Sequence, residues 1–440
     1  MGVVFYKVYW TSASAGVEVD ISEITNGSLL RALEAKSTTA TLSFKNSYYP
    51  NRIMRKYVLT NNRLFAIKND DTIMIYVDHE PITRAANQLL INGFVKEVSQ
   101  TFEEGGVKME VTVVDKTYIL LSKIPAKRYW DGRTPPQIVR HIVEQVATGE
   151  ISIGGIDTVH PKGGAFNPIS FAGSIENAYE LIRTVSQPEY CQTLPGAGGI
   201  AEPQFSPRNF IFWVDAQNMF HWKYPDDVAD YTESDEELSI YSEEFSHDSF
   251  DVVNMYIFDC GVFPNPSGKD YHIYWYLFNE ANAGGELRMK FMPMTDITDG
   301  PNGMRNQEKA RMAGLGNLDA DDDGYPDAYP YLTNWRDSNG DTITVNSNSE
   351  YYSAFRDEAI IRGETRARGF FKSVGEVKLA GSIELKGTNA YGVGEVINFT
   401  APAYGIQNQL LRVKEVNHSI TKTGWFTTIA LNQDESLITA

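Results

Sequence analysis

Val95-Lys96-Glu97-Val98, with Gly106 eight residues beyond Val98, returns as Val413-Lys414-Glu415-Val416 with Gly424 eight residues beyond Val416. The offset is 318 residues at every identity. Beyond the first glycine, Val107, Met109, Val111 and Val113 alternate with Lys108, Glu110 and Thr112; beyond the second, Trp425, Thr427, Ile429 and Leu431 hold the same parity. A period of two with one apolar face marks a half-buried strand. Two such strands around a polar, glycine-bearing turn make a hairpin. The chain is therefore expected to carry one small β-domain twice, and a repeat of this kind governs the whole architecture.

At 440 residues the chain exceeds what one core serves, so three or four domains are expected. Its 42% hydrophobic and 22% charged residues are those of a folded chain, and 12% aromatics with few long helical patterns lean towards β. A net charge of −18 and a pI near 4.9 argue against gripping phosphate backbones or an anionic membrane surface. No apolar run reaches the length of about 18 to 20 residues that crosses a bilayer, so no membrane insertion is expected. Met1 to Lys7 lacks the basic and apolar regions of a secretion signal. Cys191 and Cys260 are expected as buried free thiols, as suits synthesis in a reducing cytosol.

Taken in order, Val3–Trp10, Leu29–Leu33, Thr38–Phe44, Thr72–Val77 and Leu89–Val98 read as strands leading to the first hairpin, with Asn46–Asn51 as a turn or loop. A closed or split barrel is expected over residues 1–125, because closure removes exposed edges. Helix signals follow: Thr134 before Pro135 and Pro136, then Ile138, Val139, Ile142, Val143 and Val146 at helical spacing, stopped by Gly149. Ser174 is expected to cap a second helix with the face Ile175, Ala178, Tyr179, Ile182 and Val185. Phe210–Val214 and Met219–Trp222 read as strands around Ala216-Gln217-Asn218, giving an α/β domain over residues 126–245. His141 and His221 lie in these elements without a second His or Cys at ligand spacing, and are read as structural.

Pro225–Asp251 is the most acidic stretch, with no Lys or Arg between Lys223 and Lys269, and is read as a solvated face or connector, or as a wall facing an anionic polymer. Val252–Phe258 is expected to open a second barrel, covering residues 246–260 and 370–440, that resumes at Val377-Lys378-Leu379 and ends in the second hairpin. Between its parts lies an insertion, residues 261–369, rich in aromatics such as Tyr271, Tyr274, Trp275 and Tyr276, with a helix near Ser353–Arg368. The expected class is thus mainly β with α/β: two related small β-barrel domains, an α/β domain between them and an insertion in the second barrel.

The strongest local chemistry is Asp319-Ala320-Asp321-Asp322-Asp323-Gly324-Tyr325-Pro326-Asp327. Alternate carboxylates on a tight turn converge on Ca2+, so Asp319, Asp321, Asp323, Asp327 and the Tyr325 carbonyl are the metal-ligand candidates. Pro330 stands at the twelfth position, where a helix-loop-helix calcium site has a bidentate glutamate. A further ligand then comes from Asp337, Asp341 or water; the alternative is a merely acidic turn. The chain contains no H-E-x-x-H, no G-x-S-x-G and no G-x-x-x-x-G-K-[ST]. Carboxylate pairs mean little in so acidic a chain, and Gly196-Ala197-Gly198-Gly199 lacks the flanking strand and helix of a phosphate loop. No catalytic residue is assigned.

The order of domains resembles the baseplate hub proteins of tailed phages, related to the base of the type VI secretion spike. The resemblance is carried by Ser43-Phe44-Lys45-Asn46, Asp71–Tyr76, Leu90-Ile91-Asn92-Gly93-Phe94-Val95, Asp115-Lys116-Thr117-Tyr118-Ile119-Leu120-Leu121, Leu411–Val413 through Asn417-His418-Ser419-Ile420, Gly424 and Thr427-Thr428. It implies a homotrimer whose paired barrels form a ring of six similar domains, matching a six-fold tail tube on one side and a three-fold central spike on the other. The implied partners are the tail tube protein, the central spike protein, neighbouring baseplate proteins, and the tape measure and DNA passing through the channel. It also implies a virion protein of the tail baseplate made in the host cytoplasm, and no catalysis. Two other readings stand beside it: a calcium-dependent carbohydrate-binding or adhesive protein, and a tail-associated cell-wall hydrolase.

Overall fold

The computed structural model describes residues 4–22, 24–32, 37–51, 56–59, 66–103, 106–160, 164–193, 209–225, 228–235, 240–248, 255–263, 271–278, 289–337, 339–374, 378–421 and 424–433. The protein is mainly β. Its first part holds β1 (Phe5–Thr11), β2 (Glu18–Asp20), β3 (Ile24–Ala32), β4 (Thr39–Asn51), β5 (Lys56–Leu59), β6 (Thr72–Asp78), β7 (Leu89–Glu103) and β8 (Gly106–Asp115). β7 and β8 are the first expected hairpin. The chain continues with α1 (Thr117–Ser122), β9 (Tyr129–Arg133), α2 (Pro135–Ala147), β10 (Ser152–Ile156), β11 (Ile169–Ala172), α3 (Ala178–Val185), β12 (Ile211–Val214) and β13 (Met219–Lys223).

β14 (Tyr231–Ser234) and β15 (Ile240–Asp248) come next. After them lie β16 (Met255–Phe263), β17 (Tyr271–Phe278), β18 (Met289–Pro293), α4 (Met304–Gly314), β19 (Tyr331–Arg336), β20 (Thr342–Val345) and α5 (Asn348–Val374). The chain closes with β21 (Lys378–Lys386), β22 (Val396–Ala401), β23 (Ile406–Thr421) and β24 (Gly424–Asn432), the last two being the second hairpin.

The two hairpins agree residue for residue. Val95 faces Val113 and Glu97 faces Thr112, which leaves Lys96 as the extra residue of a bulge. Val413 faces Leu431 and Glu415 faces Ala430, which leaves Lys414 in the same place. The likeness extends outward: the strand order β3-β4-β8-β7-β6 is repeated as β15-β21-β24-β23-β22. Thr72 faces Phe94 as Val396 faces Arg412, and Ala40 faces Val113 as Gly381 faces Leu431. The outermost strands differ, because β1 runs antiparallel to β6 whereas β14 runs parallel to β22.

The two modules are not separate. β3 pairs with the second half of β23, from Glu415 opposite Ala32 to Thr421 opposite Asn26, so a single 14-stranded sheet runs through both. Its path is open from β15 to β2; among the described residues no pairing closes either module into the expected barrel. Three further expectations are corrected. Val252–Phe258 was expected to open the second barrel, but β16 pairs with β17 and β18 in the insertion; β15, drawn from the acidic stretch, takes that place beside β21. Asn46–Asn51 continues β4 and pairs with β5 rather than turning. α3 is capped by Asn177, whose Oδ1 accepts the Glu180 N–H at 2.9 Å, while Ile175 lies exposed ahead of the helix.

Thr134 caps α2 as expected, and Ile138, Val139, Ile142, Val143 and Val146 are all buried. They share a core with α1, α3 and the β12–β13 hairpin, where Phe210 stacks on Trp222 at 4.0 Å. The insertion packs α5 on β16 and β17, longer than the helix expected near Ser353–Arg368. Gly363 permits that approach, since a Cβ there would stand 2.8 Å from Cβ and Sγ of Cys260. Cys191 and Cys260 are free and buried.

The first module's core takes in two side chains from the end of the chain, Ile420 at 2% exposure and Trp425 at 4%. Removing a buried aromatic leaves both lost transfer energy and a cavity. Trp425→Ala is expected to lower stability by about 3–5 kcal/mol, read as a shifted urea midpoint, whereas Leu332→Ala on an exposed strand position should shift it by less than about 0.5 kcal/mol.

Candidate functional sites

The junction between the modules is built by β23. Its first half pairs with β22, its second half with β3, and the bulge at Lys414 marks the change of partner. Beyond the bulge Val416, His418 and Ile420 point inward and Asn417 and Ser419 outward. His418 is fully buried: the Trp425 indole N–H donates to its Nδ1 at 3.3 Å, and Thr427 Oγ1 lies 3.1 Å from the same atom. Burial, with the Arg31 guanidinium nearby, pulls the His418 pKa down to about 3. Loops seal the seam, with His79 Nε2 2.8 Å from the Gly387 carbonyl and Asn389 Nδ2 donating to the Asn87 carbonyl at 2.9 Å. A cavity of about 490 Å³ remains where both modules meet the middle domain, bordered by Arg31, Asp215, Tyr391, Glu395 and Arg412.

The corresponding part of β7 has no such neighbour. β6 accompanies β7 only as far as Phe94, with Asp70 and Asp71 bonded to Val95, and from Glu97 to Glu103 no described strand lies on that side. Phe102, which stands where Ile420 stands in the second hairpin, is 74% exposed. The outer edge of β15, the counterpart of β3, is likewise unpaired among the described residues.

The insertion is bound to the middle domain by charged groups. Arg366 on α5 donates to Glu189 at 2.8 Å, to Asp296 at 2.8 Å and to Gln187 at 3.0 Å. Arg311 on α4 donates to Asp131 at 3.1 Å and to the Tyr331 hydroxyl at 2.7 Å, and that hydroxyl donates to Glu308 at 2.8 Å. Burial pushes the Glu308 carboxyl upward. Asp215 accepts from His221 and from the Gln217 and Met219 N–H groups, so this Asp-His pair shapes the β12–β13 turn.

The aspartate loop joins α4 to β19. Carboxylate oxygens of Asp319, Asp321 and Asp323 lie within 4.8 Å of one another. The turn is made by Asp322 and Gly324 at φ 57° and 89°, with Gly324 N–H donating to Asp319 and Tyr325 N–H to Asp323. One Asp319 oxygen is buried without a protein partner, and burial, followed by the Asp323 charge, raises its carboxyl pKa. Asp327 stands outside the cluster and accepts from Ala320 N–H at 2.7 Å. Asp337 is engaged by Asn339 and Asp341 N–H groups in a turn of its own.

No protein-family model matches the chain, and no curated protein does. Solved structures match over nearly the whole length. The 43 kDa tail protein of prophage MuSo2 from Shewanella oneidensis shares 12% identity at a TM-score of 0.57, covering 98% of this chain and 99% of that one. The tail protein from Neisseria meningitidis MC58 shares 8% at 0.57, with 98% of each chain covered. Prophage tail protein gp18 from Listeria monocytogenes EGD-e shares 10% at 0.50, with 96% and 94% covered. At these identities the likeness is one of fold.

Folded protein keeps His418 neutral down to about pH 3, whereas an unfolded histidine takes its proton near pH 6.5. Its contribution is whole above about 6.5 and is lost as pH falls towards 3, by up to about 1.4 kcal/mol per pH unit. His418→Gln is expected to flatten the fall in urea midpoint between pH 7 and pH 5; an unchanged slope would refute it.

Proposed function

We propose that the chain is a structural component of a phage tail, the hub of its baseplate, and not an enzyme. The observation that carries this is the pair of modules with one strand order, joined edge to edge in a chain whose full-length fold is that of prophage tail proteins. Two similar modules per chain let three copies present six similar units. Such a ring faces a six-fold tail tube on one side and a three-fold central spike on the other, with the tape measure and DNA passing through its channel and neighbouring baseplate proteins around it. The acidic balance suits a channel wall to which DNA does not adhere. The protein then resides in the tail baseplate of the virion, after synthesis in the host cytoplasm.

The aspartate loop supports a further part of this reading, a structural Ca2+. Asp319, Asp321 and Asp323 supply converging hard oxygens, including one buried and otherwise unpartnered, and the Tyr325 carbonyl and Asp327 stand in the same loop. The ion would neutralise clustered carboxylates and stiffen the connection between α4 and β19.

Mass measurement of the purified chain is expected to give a trimer, and imaging of the particle end to place it at the tail tip. A monomer that binds glycans saturably would favour an adhesive protein; turnover of purified peptidoglycan lost on one carboxylate substitution would favour a hydrolase. For the metal, Ca2+ at a hundredfold excess over its Kd is expected to stabilise by about 2.7 kcal/mol. Chelation should lower the melting temperature and Asp321→Ala should mimic it; a melting curve indifferent to Ca2+ removes the site.

A further inference from the structure

The cavity of about 490 Å³ on the seam is bounded in part by a bare strand edge. β12 is the outer strand of the three-stranded sheet β10-β13-β12, and among the described residues no strand lies on its other side. Residues 211–217 all line the cavity, so the whole of this edge borders it. The Gln217 amide, donating to the Ala86 carbonyl at 3.0 Å, ties the end of the edge to the first module. The remaining walls include Arg31 and Thr38 of the first module and residues 390–395 of the second. The volume falls within the range of ligand sites, about 300–1,000 Å³.

The charges around it are answered unequally. Asp115 accepts the Thr38 and Thr117 N–H groups at 2.9 and 3.0 Å, and Asp230 accepts the Val396 N–H at 2.8 Å. Glu395 accepts the Gly392 N–H, and Asp215 accepts those of Gln217 and Met219. Each carboxylate is thus stabilised by donors of its own chain. Arg31 differs: among the described residues it donates to the Leu90 carbonyl alone, while Asp115 and Asp215 act on it from beyond ion-pair distance. Burial presses its pKa downward. A guanidinium carries five N–H groups in a planar fork that matches a carboxylate, so most of its donors remain for a ligand. Lys223, exposed at the same cavity, likewise has no ion pair among the described residues. Half-buried Phe212 and Trp213 supply apolar surface beside them.

We propose that the cavity receives an extended acidic peptide segment of another protein, which adds to β12 as a fourth strand and sets a carboxylate on Arg31. An unpaired edge is a template for such addition; main-chain pairing gives the affinity and side-chain pockets the specificity. The choice of a protein partner rests on the hub reading, in which neighbouring baseplate proteins surround the chain. A free acid or phosphate would use Arg31 without β12.

The full chain labelled with fluorotryptophan, its Trp213 resonance assigned through Trp213→Phe, reads binding by fluorine NMR. A capped Thr-Val-Glu-Val-Thr peptide is expected to shift that resonance saturably. Replacing the peptide's glutamate by glutamine, or Arg31→Met in the protein, should weaken binding about tenfold or more, as loss of a charged hydrogen bond does. N-methylation of the peptide backbone should abolish it. An equal shift with inorganic phosphate, or binding indifferent to N-methylation, overturns the strand addition. No shift with the peptide, in a chain of trimeric mass, overturns the proposal and leaves the hub reading standing. Saturable, glutamate-dependent binding by a chain that stays monomeric keeps the site and overturns the hub reading instead.

Discussion

The architecture depends on one strand being longer than either module needs. β23 keeps β24 on one side throughout; on its other side it pairs with β22 of its own module up to Arg412 and, after the bulge at Lys414, with β3 of the other. The extra residue changes the local twist and partner of the strand. Ile420 at the end of this extension and Trp425, which faces it from β24, enter the first module's core, so that core is completed by the second hairpin. Burying such side chains is worth about 1.5–3 kcal/mol each, and His418, bonded to the Trp425 indole, is held neutral by the same dry environment.

Elsewhere the parts are joined by charge. Arg366 and Arg311 bring the insertion against the middle domain through Glu189 and Asp131. Glu189 and Arg311 are the buried members of these pairs; a buried charge adds little over an apolar contact when paired but is costly to leave unpaired. They therefore specify one docking orientation more than they add stability. One face of the insertion sheet still carries exposed Tyr274, Tyr276, Phe278, Met289 and Phe291.

The departures from expectation share a cause. An edge strand has one side free of the ladder and tolerates charge, so β15, with Glu243 and Glu244, reads as part of an acidic connector. β16, an apolar run, gives no periodicity by which to tell one sheet from another. Ser174 and Asn177 are equally competent caps, and packing of Ala178 and Tyr179 decides for Asn177.

What the sequence determined alone was local. Period-two alternation set the hairpins, Thr134 before two prolines set α2, and the spacing of Asp319, Asp321 and Asp323 set the turn that gathers their carboxylates. Only the hairpin keeps a constant offset between copies; Thr72 with Val396, Ala40 with Gly381 and Leu29 with Phe245 are each spaced differently, so the rest of the repeat was hidden. The tertiary structure decided which edges meet. Pairing between strands hundreds of residues apart is governed by shape and by burial of both partners at once, and neither partner's sequence records the other.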